Sequence, residues 1–258
     1  MNITWFGTAG FKVETGNFTV LIDPYFSRNQ QAVPRQPIRA SDIEQADMIF
    51  ISHGHFDHIL DVPEIAASTK ARVYCGRGTD GTMIRKGLDK DLIHRVVSDG
   101  EIFNFGDFQA QAFYSRHVKF DSWLLFKTLA RINFRIPGYL PLLREYPEGQ
   151  VLSWRFLIEG KAVHHFGSGG STADELENLG RQPTDILLVP MQGHTRIDRI
   201  AHQYVKALQP EMVIPHHQDN FYPPISTMVD TRKFIQLVKG TNPDTAIRIP
   251  VLNETMEW

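Results

Sequence analysis

Ser52-His53-Gly54-His55-Phe56-Asp57-His58 brings four side chains that can bind a metal ion into six consecutive residues. The run before it, residues 46–51, is short and mostly apolar, which predicts a buried strand that ends at the histidines. Side chains two residues apart on an extended backbone point the same way, so His53 and His55 can converge on one ion. The aspartate and the last histidine would then face a neighbouring position. Such a cluster directly after a strand indicates a metal site rather than a solvated loop.

The composition is that of an ordinary globular protein. The chain has 258 residues, of which 42% are hydrophobic, and we expect residues 1–258 to form a single domain. The formal net charge of −2 gives no general attraction to nucleic acid or to anionic membranes. One cysteine, Cys75, excludes an intramolecular disulfide and suits a reducing compartment. We find neither a signal peptide nor an apolar run long enough to cross a membrane, so we expect a cytoplasmic protein that does not bind nucleic acid.

Other acidic and histidine residues stand at the ends of further predicted strands. Asp23 closes the third of three short opening strands, and His117 and the pair His216-His217 each follow a later strand. Taken alone, Asp23 is also typical of a turn and His117 of a packed histidine. Together with residues 52–58, and in this order, they resemble the metallo-β-lactamase-fold hydrolases. The resemblance implies an α/β protein with an αββα four-layer sandwich, in which two mixed sheets lie face to face with helices outside.

The same resemblance implies two adjacent metal positions at one edge of the sheets. The first would be held by three histidines: His53, His55 and His117. The second would be held by an aspartate and two histidines: Asp57, His58 and His217. Alignment of Pro215 and Phe221 favours His217 over His216, and neighbouring side chains on extended backbone point in opposite directions. Asp23 would support the ligand loop by hydrogen bonding, as partners of metal-bound histidines do.

One position departs from the family pattern. Where the family has a Gly-Asp pair whose aspartate bridges two metal ions, this chain has Gly167-Ser168. A hydroxyl is a weaker ligand than a carboxylate, so the site would hold either one ion or two, the second weakly. His165, His194 or Asp219 could replace the missing ligand. The run 167–171 could also form an anion-binding turn before a helix that begins near residue 172.

The loop after the strand 185–190 carries two further candidates. His194 is a candidate proton donor or substrate contact, and Arg196 is a candidate anion contact. A loop histidine without a catalytic role is the alternative for His194. Further on, the pattern predicts a capped helix over residues 226–238 and a final strand over residues 246–251.

Residues 118–150 are typical of an insertion in this fold. Its first part predicts a broadly apolar helix over residues 123–135, with Lys127, Arg131 and Arg135 on one stripe at a spacing of four residues. The insertion could be a packed subdomain or dimer contact, in keeping with the homo-oligomer that we expect. It could equally be a substrate lid or a lipid-facing element, with peripheral lipid contact.

The resemblance also implies an activity. We expect a metal-dependent hydrolase that uses a metal-bound hydroxide on a small, anionic ester, lactone or phosphoester, with Asp57 orienting the nucleophile. Zinc suits the histidine-rich ligands best, and manganese, iron or nickel stay open. Within the family the chain is similar to the ascorbate-6-phosphate lactonase branch and more distantly to N-acylphosphatidylethanolamine phospholipase D. The alternatives are a lipid or N-acyl phosphodiesterase and a non-catalytic metal-binding ligand sensor.

Overall fold

The computed structural model describes residues 1–132, 141–142 and 144–258. Two seven-stranded sheets account for its strands. The first sheet has the order β14-β1-β2-β3-β4-β5-β6, formed by Thr255–Glu257, Asn2–Gly7, Gly10–Glu14, Thr19–Ile22, Met48–Phe50, Arg72–Cys75 and Ile93–Arg95. The second has the order β13-β12-β11-β10-β9-β8-β7, formed by Ala246–Ile247, Met212–His216, Ile186–Pro190, Lys161–Phe166, Leu152–Ile158, Phe108–Tyr114 and Ile102–Asn104.

The described part of the chain also forms α-helices, most of which pack against the outer faces of the two sheets. In chain order they are α1 Phe56–Ile59, α2 Val62–Thr69, α3 Thr79–Arg85, α4 Ser122–Ile132, α5 Ala173–Leu179, α6 Ile197–Leu208 and α7 Arg232–Thr241. Helix α2 packs with the outer face of the first sheet, and α5, α6 and α7 pack with that of the second. Helices therefore enclose a pair of sheets, as the resemblance predicted. No described helix is long and apolar enough to cross a bilayer.

The core between the sheets is aromatic. The ring of Phe50 in β4 lies 4.9 Å from that of Trp154 and 5.1 Å from that of Phe156, both in β9 of the opposite sheet. All three side chains are fully buried. Burial of large apolar side chains on both inner faces is the main force that holds the two sheets together.

The directions of the strands explain why one edge of the sandwich carries the polar residues. Strand β3 is parallel to β4, and β10, β11 and β12 are parallel to one another. Strand β8 runs the same way as β10, because both are antiparallel to β9. The carboxyl ends of parallel strands meet at the same edge of a sheet. The loops after these six strands carry the candidate site residues.

Two predicted elements near the C-terminus are wrong. The helix over residues 226–238 begins only at Arg232, because the hydroxyl of Ser226 accepts from the Tyr222 N–H and donates to Asn220 instead of capping a helix. The final strand stops at Ile247, where pairing with β12 ends, and the prediction omitted β14, which pairs with β1. Three-residue strands such as β14 leave too short an alternation to be detected.

Candidate metal centre

The histidine motif lies on a sharp turn between β4 and α1. His55 directly precedes α1, and the single turn of this helix carries Asp57 and His58. Gly54 passes against residues 147–148, where its N–H donates to the carbonyl of Glu148 over 2.7 Å. A Cβ at Gly54 would lie 2.3 Å from the carbonyl oxygen of Pro147, so only glycine fits between the two segments.

The first group of potential ligands consists of His53, His55 and His117. One ring nitrogen of each histidine lies within 4.8 Å of one ring nitrogen of the others. The Nε2 atom of His53 is 3.1 Å from the Nδ1 atom of His55. The His117 ring lies 5.0 Å from that of His53 and 4.7 Å from that of His55. The end of β8 thus delivers a third histidine to the motif.

The second group consists of Asp57, His58 and His217, and its ligand atoms also lie within 4.8 Å of one another. The Oδ2 atom of Asp57 is 3.3 Å from Nε2 of His217 and 3.7 Å from Nε2 of His58. All three side chains are buried. The two groups are neighbours, since the rings of His53 and His58 are 3.9 Å apart.

The protonation states of His53, His117 and Asp57 suit a cation, whereas the pKa of His58 is raised, because Asp23 and Asp57 outweigh the lowering effect of burial. Burial, followed by the neighbouring histidines, holds the pKa of His53 well below its usual value. Burial and His55 likewise lower the pKa of His117 to about 4. Burial alone would raise the pKa of Asp57, but His58 and the hydrogen bond with His217 lower it below the usual range. Neutral imidazoles with free lone pairs beside an ionised carboxylate are the donor set that divalent transition metals bind.

Asp23 fixes the orientation of His58. Its carboxylate lies 2.8 Å from His58 Nδ1 and accepts hydrogen bonds from the backbone N–H and the hydroxyl of Ser52, at 2.7 and 2.5 Å. With Nδ1 held in this way, Nε2 is directed towards Asp57 and the second position. Gly167 closes the other side, since a Cβ there would lie 1.9 Å from the Ser52 hydroxyl oxygen.

His217 stands on a strained loop that a buried ion pair holds. Its φ of 60° lies in the left-handed region, which is unfavourable for a residue other than glycine. The N–H of His217 donates to the carbonyl of Thr8 over 2.8 Å. The N–H of Thr8 in turn donates to the carboxylate of Asp219, which pairs with Arg28 at 2.7 Å. Arg28 lies in the irregular loop after β3, where no pattern in the sequence marks it.

His216 faces away from the second group. Its side chain is fully buried, stacks on His165 with ring centroids 5.1 Å apart, and meets the edge of Phe11 at 5.3 Å. The two neighbouring histidines therefore point to opposite sides of the chain, and His217 is the one that approaches Asp57.

Ser168 lies at the wall of the site. Its hydroxyl oxygen accepts a hydrogen bond from the N–H of Val118 over 3.0 Å. Of the three substitutes considered for the bridging acid, His165 contacts the carbonyl of Ala9 and Asp219 pairs with Arg28. Neither is part of the two groups found among the described residues.

Two N–H groups of the run 167–171, which the sequence offered as an anion-binding turn, bind other parts of the protein. The N–H of Gly170 donates to the carbonyl of Arg116, and that of Ser171 donates to the hydroxyl of Tyr204. Thr172 then caps α5 through the N–H of Glu175. These N–H groups are occupied by the protein itself, so they are not directed towards a ligand.

His194 and Arg196 separate in the structure. His194 lines the same cavity as the two groups, whereas Arg196 lies on a different surface depression at the start of α6. The Nδ1 atom of His194 accepts from the backbone N–H of Arg196 over 2.9 Å. Asp121 also reaches this loop, where its carboxylate accepts from the N–H and the hydroxyl of Thr195 at 2.7 and 2.8 Å.

One cavity of about 450 Å³ opens above both groups. All six potential ligands line it, together with Ser168 and His194. Apolar side chains form most of the remaining described wall: Phe56, Val118, Phe120, Leu124, Leu125, Leu129, Met191, Phe221, Ile225 and Val229. A substrate in this cavity would meet the clustered metal-binding side chains and, in the rest of the described wall, mostly apolar side chains.

Comparison with known proteins places the chain in a family. A model of the Beta-lactamase superfamily domain matches residues 2–217. A UPF0173 metal-dependent hydrolase of Staphylococcus aureus (strain MRSA252) is 28% identical over 225 residues, which cover 86% of this chain and 87% of the relative.

Solved structures show the same fold. Igni18, a metallo hydrolase from the archaeon Ignicoccus hospitalis, has a TM-score of 0.70 at 22% identity, with 100% of this chain and 98% of that one covered. CmlA, a diiron beta-hydroxylase from Streptomyces venezuelae, has a TM-score of 0.69 at 16% identity, with 100% of this chain and 54% of that one covered. At these identities the likeness shows the fold alone. The family match shows that the chain belongs to the beta-lactamase superfamily, as a metal-dependent hydrolase with the metallo-β-lactamase fold.

Proposed function

We propose that this chain hydrolyses an ester, lactone or phosphoester of a small molecule at the two groups of metal-binding side chains. The observation that carries the proposal is that both groups line one end of a single cavity. We assign the first ion to His53, His55 and His117, and a second, weaker one to Asp57, His58 and His217. Zinc suits the histidine-rich set best, with manganese, iron and nickel as alternatives. When bound, a divalent ion lowers the pKa of its water ligand to about 7 and polarises the bond under attack.

Two side chains take the proton-handling roles in this proposal. Asp57 is ionised and lies between His58 and His217, where its free acceptor capacity orients the attacking water. His194 donates a proton to the leaving group. Its Nδ1 accepts from the N–H of Arg196 and lies 3.3 Å from the Asp121 carboxylate, so Nε2 is the nitrogen that we assign to proton donation.

The substrate's negative charge is confined to the metal end of the cavity. None of the described residues that line the cavity is lysine or arginine. An anionic group away from the metal positions would therefore have no cationic partner, and burying it would be costly. We therefore expect an anionic substrate to place its negatively charged or partly negative oxygen at the metal-binding groups.

A lipid or N-acyl phosphodiesterase is a second candidate, favoured by the outer face of α4. Trp123 and Phe126 are 56% and 61% exposed there, and their rings stack 5.7 Å apart. Lys127 lies over the Trp123 ring at 5.1 Å, and Arg131 is exposed nearby in the sequence. Arg135 lies outside the described residues. Apolar rings beside cations suit an anionic lipid surface, and equal binding of wild type and a Lys127→Glu, Arg131→Glu variant to anionic vesicles would argue against it.

Several finer assignments belong to the same proposal. Residues 1–258 form one domain with an insertion at 118–150, and the chain acts in the cytoplasm as a homo-oligomer. We also propose a functional likeness to the ascorbate-6-phosphate lactonase branch. A non-catalytic ligand sensor is disfavoured, because the chain belongs to a family of metal-dependent hydrolases.

The test is a substrate panel with the metal-loaded protein. Lactones, carboxylic esters and phosphodiesters are supplied to the wild type, to His55→Ala, and to His94→Ala, which changes an exposed histidine outside both groups. We expect turnover of at least one class by the wild type and by His94→Ala, and loss of that turnover in His55→Ala. Metal-loaded protein that turns over no member of the panel would favour the sensor instead.

A further inference from the structure

Helix α4 presents an apolar stripe to the cavity. Leu124, Leu125, Thr128 and Leu129 line it, and a spacing of one, four and five residues puts them on one face of a helix. Residues of the opposite face, such as Trp123 and Phe126, do not line it.

The position of α4 over the cavity is fixed at its start. The carboxylate of Asp121 accepts from the N–H groups of Trp123 and Leu124, at 3.0 and 2.9 Å, which caps the helix. Its other oxygen accepts from the N–H and the hydroxyl of Thr195. Asp121 therefore ties the helix to the loop that carries His194, and the apolar stripe lines the same cavity as the metal-binding groups.

Side chains from other segments add to the apolar wall. Ile225 and Val229, from the irregular segment between β12 and α7, line it together with Phe221 and Met191. A charged substituent beside these apolar side chains would lose hydration without gaining an ion-pair partner, since no lysine or arginine is among the described lining residues. A hydrocarbon group would instead be transferred from water into an apolar environment, which is favourable in proportion to its area.

We propose that the substrate carries an acyl or alkyl chain that lies between the stripe of α4 and the Ile225–Val229 wall, with its scissile or carboxylate group at the metal-binding residues. The inference rests on the proposed function and deepens it, because it names the substrate class. The α4 stripe then sets the chain length that is accepted, and the cavity volume sets its upper limit.

A binding series tests this without knowing which bond is cleaved. Butanoate, hexanoate and octanoate are titrated calorimetrically into the zinc-loaded protein. A carboxylate can bind at the metal end whichever ester is the true substrate. We expect the affinity to rise about tenfold for every two added methylene groups until the cavity is full, from the free energy of burying each methylene. Equal affinity for the three acids would overturn the proposal.

Matched variants locate the chain. In Leu124→Ser, the increase in affinity for each added methylene should be several-fold smaller than in the wild type. Leu124→Trp fills part of the cavity, so this variant should prefer the shorter acids. Phe126 lies on the outer face of the same helix, so Phe126→Ser should leave the affinities for the three acids unchanged. An equal effect of Phe126→Ser and Leu124→Ser, with zinc content and circular dichroism retained, would overturn the assignment to the α4 stripe.

The outcome separates this inference from the proposed function. If the protein turns over a panel substrate but binds the three acids equally well, the hydrolase function stands and the acyl-chain site is rejected. Chain-length-dependent binding without turnover of any substrate would retain the apolar site and count against the hydrolase.

Discussion

Replacing Arg28 by methionine should destabilise the fold and weaken the second metal position. The guanidinium lies 2.7 Å from the Asp219 carboxylate, with the two side chains only 2% and 1% exposed. Methionine preserves an extended apolar side chain but leaves Asp219 with the Thr8 N–H as its remaining charge-stabilising partner. Breaking a buried ion pair on one side costs about 3–5 kcal/mol. At about 2–4 °C per kcal/mol for a chain of this size, the melting temperature should fall by about 10 °C.

The assay combines urea unfolding with zinc binding. Arg232→Met is the matched control, because it breaks an arginine–aspartate pair whose side chains are 84% and 54% exposed, and its stability should change little. The double variant Arg28→Met, Asp219→Asn should lose less than the sum of the single changes, since the unpaired charge is gone. Affinity for the second zinc ion should fall, because Thr8 holds the N–H of His217 in its strained conformation.

Two results would refute this reasoning. A loss of stability in Arg28→Met no greater than in Arg232→Met would mean that the pair is not a buried support. Unchanged zinc affinity in a clearly destabilised Arg28→Met protein would mean that the Thr8–Asp219 contact does not position His217.

Three further predictions concern single side chains. Ser168→Asp should increase retention of the second metal ion on dialysis, since it restores a carboxylate at the family's bridging position; unchanged retention would contradict that alignment. Asp23→Asn should lower metal affinity about 10–100-fold, because an amide replaces the charged acceptor that orients His58; affinity equal to that of the wild type would show that Ser52 alone suffices. Burial and then Arg155 lower the pKa of His164 from 6.5 to about 3. Between these two pH values the unfolded chain binds more protons than the folded chain, so the free energy of unfolding falls as the pH falls. His164→Leu should remove up to about 1.4 kcal/mol per pH unit of that slope near pH 5 in urea unfolding, and an unaltered slope would assign the dependence to other groups.

The sequence was most informative where local pattern and burial coincide. The apolar run before His53 became β4, and the helix predicted to begin near residue 172 begins at Ala173. Buried parallel strands have short apolar sequences, so their ends could be located from the sequence. Most of the candidate ligands follow these strand ends and could be identified in the same way.

The parts that the sequence did not predict depend on contacts between distant segments. The pairing of Arg28 with Asp219 joins two loops without any local pattern. The side chain of Ser226 has the chemistry of a helix cap but bonds within its own turn. The apolar face that α4 turns towards the cavity also could not be distinguished from a packed or lipid-facing one, because periodicity shows that a face exists but not what it covers.

Zinc content per chain is the most direct test of the two metal positions. The protein is loaded with excess zinc, separated from free metal by gel filtration and analysed by mass spectrometry, beside His53→Ala, His217→Ala and the exposed control His94→Ala. We expect two equivalents in the wild type and in His94→Ala, one in His217→Ala, and a loss of the tighter ion in His53→Ala. Zinc contents in His53→Ala and His217→Ala equal to that of His94→Ala, or a wild type that retains no zinc, would contradict this expectation.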